Sequence, residues 1–323
     1  MRTYLGVDGS GNRTLFLLID ETGKILASHT EGTAYYPEIG LEALKKLLVR
    51  GIGQILRQAG IGVSDLTFAF LGLPAYGEDS ELLATLDAVP SSVVPTGRYR
   101  VGNDMVCSWA GALAGADGIS VAVGIGSIAY GEYAGRSARA GGWGELFGDE
   151  GSAYWLAREG LHLFSCMSDG RVPRGALYEL VRQHFMLQHD LDLCAAIYGK
   201  RLAQRSRFAQ LSRLVVEAAS AGDTAARALF VQAAAELRDI IDAVRTRLSV
   251  PPEVRLAVSY SGGMFESNDL LLGPLREALA SPTRSYSFLV ARLPPDAGAA
   301  VHAAKLSGKP LDAASIAALE AQL

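Results

Sequence analysis

The sequence predicts an α/β protein of two domains. Three observations carry that expectation. The chain has 323 residues, more than the ~250–300 that a single core usually organises. Its first third alternates short apolar runs with stretches of helical periodicity, the signature of an α/β fold. A strand followed by a glycine turn then recurs just after Asp117, as if the fold starts again.

The elements follow in order. Thr3–Val7 is short, β-rich and ends at a glycine-rich turn. Leu15–Ile19 and Ile25–Thr30 follow, joined through Glu21–Lys24. Strands this close in sequence, linked by glycine-bearing turns, form an antiparallel meander. Leu41, Leu44, Leu47, Leu48, Ile52, Ile55 and Leu56 share one helical face, so Leu41–Ala59 is a helix. Gly60 closes it. Leu66–Leu71 reads as a strand, Glu78–Val89 as a helix, Tyr99–Gly102 as a strand and Met105–Ala114 as a helix. The second domain opens with Ile119–Val123 and Ser127–Tyr133, which resemble the first hairpin. Asp149–Ser165 reads as a helix whose acidic start suits its positive end. The stretch Pro173–Leu248 reads as helical throughout. Its last piece, Thr224–Leu248, is stopped by Pro251-Pro252. Val254–Ser259 and Ser285–Val290 are expected as strands. Glu266–Ala280, Ala297–Leu306 and Leu311–Leu323 are expected as helices.

Composition narrows the function. The chain is 49% hydrophobic and 20% charged, with a net charge of -4. It has no run of Lys or Arg, so nucleic acid is not an expected partner. Cys107, Cys166 and Cys194 show neither disulfide nor metal-ligand spacing and read as buried apolar thiols. Asp8 and Arg13 interrupt the apolar N-terminal run, so no signal peptide is expected. No stretch of ~20 apolar residues predicts a membrane span. A cytoplasmic location is the expectation.

Three glycine turns stand at strand ends: Asp8-Gly9-Ser10-Gly11-Asn12, Gly124-Ile125-Gly126-Ser127 and Ser261-Gly262-Gly263. Glycine lets backbone N–H groups approach a phosphate without a Cβ in the way. There is no GxxxxGK[ST], which excludes a P-loop. The first turn lacks GxGxxG and leads into a strand, unlike a dinucleotide site. Each turn alone is equally well an ordinary hairpin; the three together point to a polyphosphate. Asp104 follows a short strand and precedes a helix. It could cap that helix or serve as the carboxylate that deprotonates an attacking hydroxyl. Between Gly141 and Gly151, five glycines surround Trp143, and Asp149-Glu150 follow. Trp143 offers an apolar face and Asp149 can accept hydrogen bonds from sugar hydroxyls.

The stretch GGWGELFGDEGSAYWLA closely resembles the N-acetylglucosamine kinase signature of the BadF/BadG/BcrA/BcrD ATPase family, within the actin, hexokinase and heat-shock-chaperone superfamily. VDGSGNRT, VGND, VGIGS and YSGGM fall in the family's order along nearly the whole chain. The resemblance implies two ribonuclease-H-like, actin-like ATPase lobes with a cleft between them, the second carrying a large helical insertion. The first lobe would be 1–117 plus about 301–323, the second 118–300. It implies ATP and Mg²⁺. Gly9, Ser10, Gly11, Asn12 and Thr14 would form the first phosphate loop. Gly124, Gly126 and Ser127 would form the second, and Gly262 and Gly263 the adenosine motif. Asp104 would be the catalytic base and Asp8 would hold Mg²⁺ through water. Asp104, Ile125, Gly142, Trp143 and Asp149 would contact the sugar.

Three departures from the family pattern stand out. Ser10 and Asn12 replace a glycine and the threonine of DGGGT, and Ile125 replaces the threonine of GTGS. Tyr35 and Pro74 stand near positions where such kinases carry Asn and Ser. The resulting expectation is transfer of the γ-phosphoryl group of ATP to an amino sugar, first N-acetylglucosamine, giving the 6-phosphate. Glucosamine is the alternative substrate. An ATP-driven activator with an iron–sulfur cluster and a non-catalytic sugar sensor are alternatives of other classes. A homodimer is compatible with all of these readings.

Overall fold

The computed structural model describes residues 1–199, 204–265, 269–280 and 284–323. The chain divides into two compact units, Met1–Ser120 with Leu289–Leu323, and Val121–Phe288. It therefore rejoins the first unit at Leu289, earlier than the 301 expected from sequence.

In the first unit, β1 (Thr3–Gly9), β2 (Thr14–Asp20) and β3 (Ile25–Glu31) form the expected antiparallel meander. A short α1 (Tyr36–Ile39) leads into α2 (Leu41–Ala59). Gly60, with φ 68°, ends α2 in the left-handed conformation that glycine tolerates best. The buried face of α2, including Leu44, Leu48, Ile52 and Ile55, packs with Leu5, Phe16, Leu18 and Leu71 into one core. Next come β4 (Leu66–Leu73), α3 (Leu83–Ala88), β5 (Tyr99–Asn103) and α4 (Asp104–Leu113). The sheet order is β3-β2-β1-β4-β5, with β1, β4 and β5 parallel. The helix expected over Glu78–Val89 shrinks to α3, flanked by single 3-10 turns. Val89 keeps helical dihedrals (φ -53°, ψ -46°), and Pro90 stands in the first turn of the 3-10 segment that follows.

The chain passes into the second unit within β6 (Gly118–Val123), followed by β7 (Ser127–Tyr133) and β8 (Arg136–Gly141). Strand β8 escaped the sequence reading because Arg136-Ser-Ala-Arg-Ala-Gly141 has no β-branched or aromatic residue. Helix α5 spans Ala153–Ser168, with Ser152 accepting from the Trp155 N–H as its N-cap. It does not begin at Asp149, whose φ of 57° places it outside the helix. The continuous helical region splits into α6 (Ala176–Phe185), α7 (Asp192–Gly199), α8 (Arg205–Ala209), α9 (Ser212–Ser220) and α10 (Thr224–Arg247). Residues 200–203 of that region lie outside the described residues. Asp223 caps α10 by accepting from Ala225 and Ala226, and also takes the N–H of Leu177 on α6. Then come β9 (Leu256–Ser261), α11 (Leu272–Leu279) and β10 (Tyr286–Leu289). The helix expected from Glu266 starts at Leu272, and residues 266–268 lie outside the described residues. The sheet order is β10-β9-β6-β7-β8. Arg245, 2% exposed, donates to the carbonyls of Ser285, Pro251 and Val254 and so fixes the chain around β9 and β10.

The chain ends with α12 (Pro295–Leu306) and α13 (Ala313–Glu320), which belong to the first unit. Glycines allow α12 to lie directly on β1 and α4. A Cβ on Gly6 would sit 2.3 Å from the Asp296 carbonyl, and one on Gly298 2.1 Å from the Gly111 nitrogen.

Farther along α12, His302 is 6% exposed and meets Phe70 and Trp109 edge-to-face. Its Nδ1 has no hydrogen-bond partner among the described residues. Burial, then Lys305 and Arg100, push its pKa down from 6.5 to about 4. The folded state thus resists a proton that the unfolded chain accepts. Stability from this group is whole above about pH 6.5 and declines as pH falls toward 4, by about 3 kcal/mol in total. Urea unfolding at neutral and mildly acid pH, compared between wild type and His302→Leu, measures it. An acid loss of the same size in both proteins would contradict burial as its cause.

Candidate functional site

In the first unit, Asp8 pairs with Gly72 across parallel β1 and β4, and Leu73 with Asn103 across β4 and β5. Asp8 and Asp104 therefore stand at the carboxyl ends of β1 and β5, parallel strands on either side of β4, where open α/β sheets place their ligands. Gly72 makes this approach possible. A Cβ there would lie 2.2 Å from Cys107 Sγ and 3.2 Å from Asp104 Cα.

The two readings of Asp104 are separated by its neighbour. Asn103, not Asp104, caps α4, accepting from the Met105 N–H at 3.0 Å. Asp104 is the first helical residue. Burial raises its pKa to about 6, although backbone N–H groups of the first turn pull it down. Asp8 is pushed further, to about 8, by burial and then by the negative charges of Asp104 and Asp296. Asp296, in the first turn of α12, is itself raised by burial. The sequence reading missed Asp296 because its helix was expected to begin only at Ala297. Cys107 donates to the Val7 carbonyl beneath Asp8. Its thiol is held well above its usual range by burial and these acids.

Half-buried acids that repel one another fit a nearby cation. Among the described residues, no group of three or more His, Cys, Asp or Glu is arranged to hold a metal. A cation here would take one or two carboxylates and complete its shell with water and phosphate, which is the habit of Mg²⁺.

The turn after Asp8 is closed by Ser10. Its N–H and hydroxyl both donate to the Arg13 carbonyl at 2.9 Å. Its Oγ accepts from the N–H groups of Asn12 and Arg13 at 3.3 and 3.2 Å. The serine that replaces a glycine thus occupies two amides that a phosphate could use. The segments holding Tyr35 and Pro74 do meet beside this turn. Thr33 Oγ1 donates to Ser10 O, Tyr36 donates to Ala75 O, and a Cβ on Gly9 would touch Ala34 and Pro74. Thr14 instead donates to Gly32 O, a structural bond.

In the second unit, the second and third turns are adjacent. A Cβ on Gly262, whose φ is 103°, would meet Val123 O at 2.3 Å, and Met264 N–H donates to that same carbonyl. The second turn is tied to α5: Ala153 and Tyr154 donate to Gly124 O and Ile125 O. Gly124 and Gly263 have open space where a Cβ would stand. Ser127 donates through Oγ to Glu150 O and through N–H to Asp149 Oδ1 at 3.4 Å. Its carbonyl accepts from Gly142 N–H. The Gly142–Asp149 loop is thereby joined to the second turn, with Trp143 67% exposed and Ile125 44% exposed.

Asp149 differs from its expected role as an open acceptor. Its side chain is 2% exposed and is paired with Arg205 at 2.5 Å. Arg205 Nε also pairs with Glu145 at 3.1 Å. Neither partner was foreseen. Arg205 lies 56 residues from Asp149, in a region whose only legible signal was helical.

Two five-stranded mixed sheets, each with helices and glycine turns, define an α/β ATPase of the actin-like, sugar-kinase class. The chain belongs to the BadF/BadG/BcrA/BcrD ATPase family, whose model matches residues 5–303. It is 27% identical over 307 residues, 92% of this chain and 96% of the relative, to an N-acetyl-D-glucosamine kinase of Dictyostelium discoideum. It is 28% identical over 280 residues, 86% of this chain and 90% of the relative, to an N-acetylmuramic acid/N-acetylglucosamine kinase of Clostridium acetobutylicum. A solved structure from Chromobacterium violaceum, proposed to be an N-acetylglucosamine kinase, aligns with TM-score 0.67 at 27% identity. That alignment covers 95% of this chain and 99% of the other. A ROK family glucokinase of Streptomyces griseus, at 18% identity and TM-score 0.51, covers 94% of this chain and 99% of its own and shares the fold.

Proposed function

We propose that this protein is an ATP-dependent amino-sugar kinase that phosphorylates N-acetylglucosamine on its 6-hydroxyl. One observation carries the reading: Asp104, a half-buried carboxylate relieved of capping duty, stands near Asp8 at the ends of parallel strands. Membership of an ATPase family and relatives named as N-acetylglucosamine kinases support it.

In this reading Asp104 accepts the proton of the sugar hydroxyl as it attacks. Amides of the Gly9–Asn12 and Gly124–Ser127 turns, other than the internally bonded ones of Ser10, Asn12, Gly124 and Ser127, would offset charge on the phosphoryl oxygens. Gly262 and Gly263 lie along the adenosine. Asp8 would hold Mg²⁺, with Asp104 and Asp296 adding negative charge. When bound, Mg²⁺ neutralises the phosphates and orients them. Gly142 and Trp143 flank the sugar. The enzyme would work in the cytoplasm; no helix among the described residues is long and apolar enough to cross a membrane.

Glucosamine is a second reading, because Ile125 and Pro74 remove hydroxyls expected in an acetyl-sugar pocket. An iron–sulfur activator is disfavoured, since Cys107 and Cys166 are buried and Cys194 alone of the three is exposed. The test is a coupled ADP assay with ATP, Mg²⁺ and a panel of hexoses and amino sugars. N-acetylglucosamine should give the highest kcat/KM, by about tenfold over glucosamine, the scale expected of one or two pocket contacts. A preference for glucosamine would replace the first substrate with the second. ADP release that ignores sugar would end the kinase reading.

A further inference from the structure

Arg205 lies across the polar floor of the second unit's site. The position of a Cβ on Gly126 is 2.5 Å from Arg205 Nη2 and 2.7 Å from Asp149 Oδ1. Arg205 donates through Nη2 to Asp149 and pairs through Nε with Glu145. The Arg205 side chain is 43% exposed while the Asp149 side chain that it pairs with is 2% exposed. A ligand arriving at Gly126 and Ser127 therefore meets the guanidinium before the carboxylate. A guanidinium has five N–H donors in a planar fork, and among the described residues Nη2 and Nε have partners. It donates and never accepts, so it suits an amide carbonyl or hydroxyl oxygen and repels an ammonium.

We propose that Arg205 is a specificity-determining residue that covers Asp149 and offers its guanidinium to the substrate's acceptor oxygens, selecting a neutral N-acetylated sugar over a protonated free amine. This rests on the amino-sugar kinase reading. It assigns the selecting charge to a helix remote in sequence from the glycine–tryptophan loop. It also explains how an acetyl-sugar preference could survive the loss of the threonine at Ile125. Glu145 acts in the opposite sense, because it pairs with the guanidinium at 3.1 Å and partly cancels its charge.

The test is the ratio of kcat/KM for N-acetylglucosamine to that for glucosamine in wild type, Arg205→Gln, Arg205→Lys and Glu145→Gln. Arg205→Gln is expected to lower the ratio about tenfold, chiefly through a higher KM for N-acetylglucosamine. Lysine keeps the charge and should return the ratio to within about threefold of wild type. Glu145→Gln should raise it, and this variant carries the test if Arg205→Gln does not fold. A purely structural role would lower both rates together and leave the ratio fixed, which overturns the proposal. So does a ratio that moves the other way. A wild-type protein that phosphorylates neither sugar overturns the kinase reading itself, a result distinct from an unmoved ratio.

Discussion

Asp104→Asn is expected to lower kcat for sugar phosphorylation about 10³-fold while leaving the KM for ATP within a few-fold of wild type. A positioned general base contributes roughly 10²–10⁴ in rate, and the amide cannot take a proton. The substitution nearly preserves volume. The helix cap stays intact because Asn103, not Asp104, accepts the Met105 N–H. The phosphate turns are separate segments, so the triphosphate should still bind. Burial lifts the Asp104 pKa to about 6, which makes it a stronger base than an exposed carboxylate yet largely ionised at neutral pH. Steady-state kinetics with both substrates varied would check the split. A variant that turns over near the wild-type rate would remove Asp104 from the chemistry. A variant that loses ATP affinity instead would move it to nucleotide binding.

The second large effect is on stability. Gly298→Ala should lower the melting temperature by about 6–12 °C, from overpacking of about 3 kcal/mol and roughly 2–4 °C per kcal/mol in a protein this large. The new methyl would stand 2.1 Å from the Gly111 nitrogen and 2.4 Å from the Cys107 carbonyl. Both are backbone atoms of α4 that cannot rotate away. Relief requires α12 to lift off α4, and Asp104 and Cys107 ride on α4 while Gly6 and Asp8 ride on the strand beneath. Gly53→Ala is the contrast. Its methyl would find only the end of the Arg57 side chain, at 3.8 Å, on the partly exposed face of α2. Alanine there should stabilise by about 0.5–1 kcal/mol. Calorimetry of both variants checks the pair. A Gly298→Ala protein melting within about 2 °C of wild type would contradict the packing described.

Periodic and local features were legible in the residues. The β1–β3 meander and the full length of α2 follow from alternation, turn glycines and a seven-residue apolar stripe. Glycine at strand ends marked the three turns. What stayed hidden was set by partners distant in sequence. Strand β8 is carried by its pairing with β7, since Arg, Ser and Ala do not announce a strand. The start of α5 slipped from Asp149 to Ala153 because Asp149 turns left-handed to reach Ser127 and Arg205. Asp296 joins Asp8 only because Gly6, Gly111 and Gly298 let α12 approach. Sequence left Asp104 between a helix cap and a catalytic carboxylate; in the structure the Met105 N–H goes to Asn103, also a good N-cap. In the first turn, sequence marked Ser10 as a substitution, and the structure adds its consequence: the hydroxyl takes two amides.

The most direct test is to follow ADP and sugar phosphate together by phosphorus NMR, with ATP, Mg²⁺ and N-acetylglucosamine. Phosphoryl transfer predicts one hexosamine 6-phosphate for every ADP and negligible ADP when sugar is omitted. ADP appearing equally fast without sugar, or with inorganic phosphate in place of sugar phosphate, would contradict it.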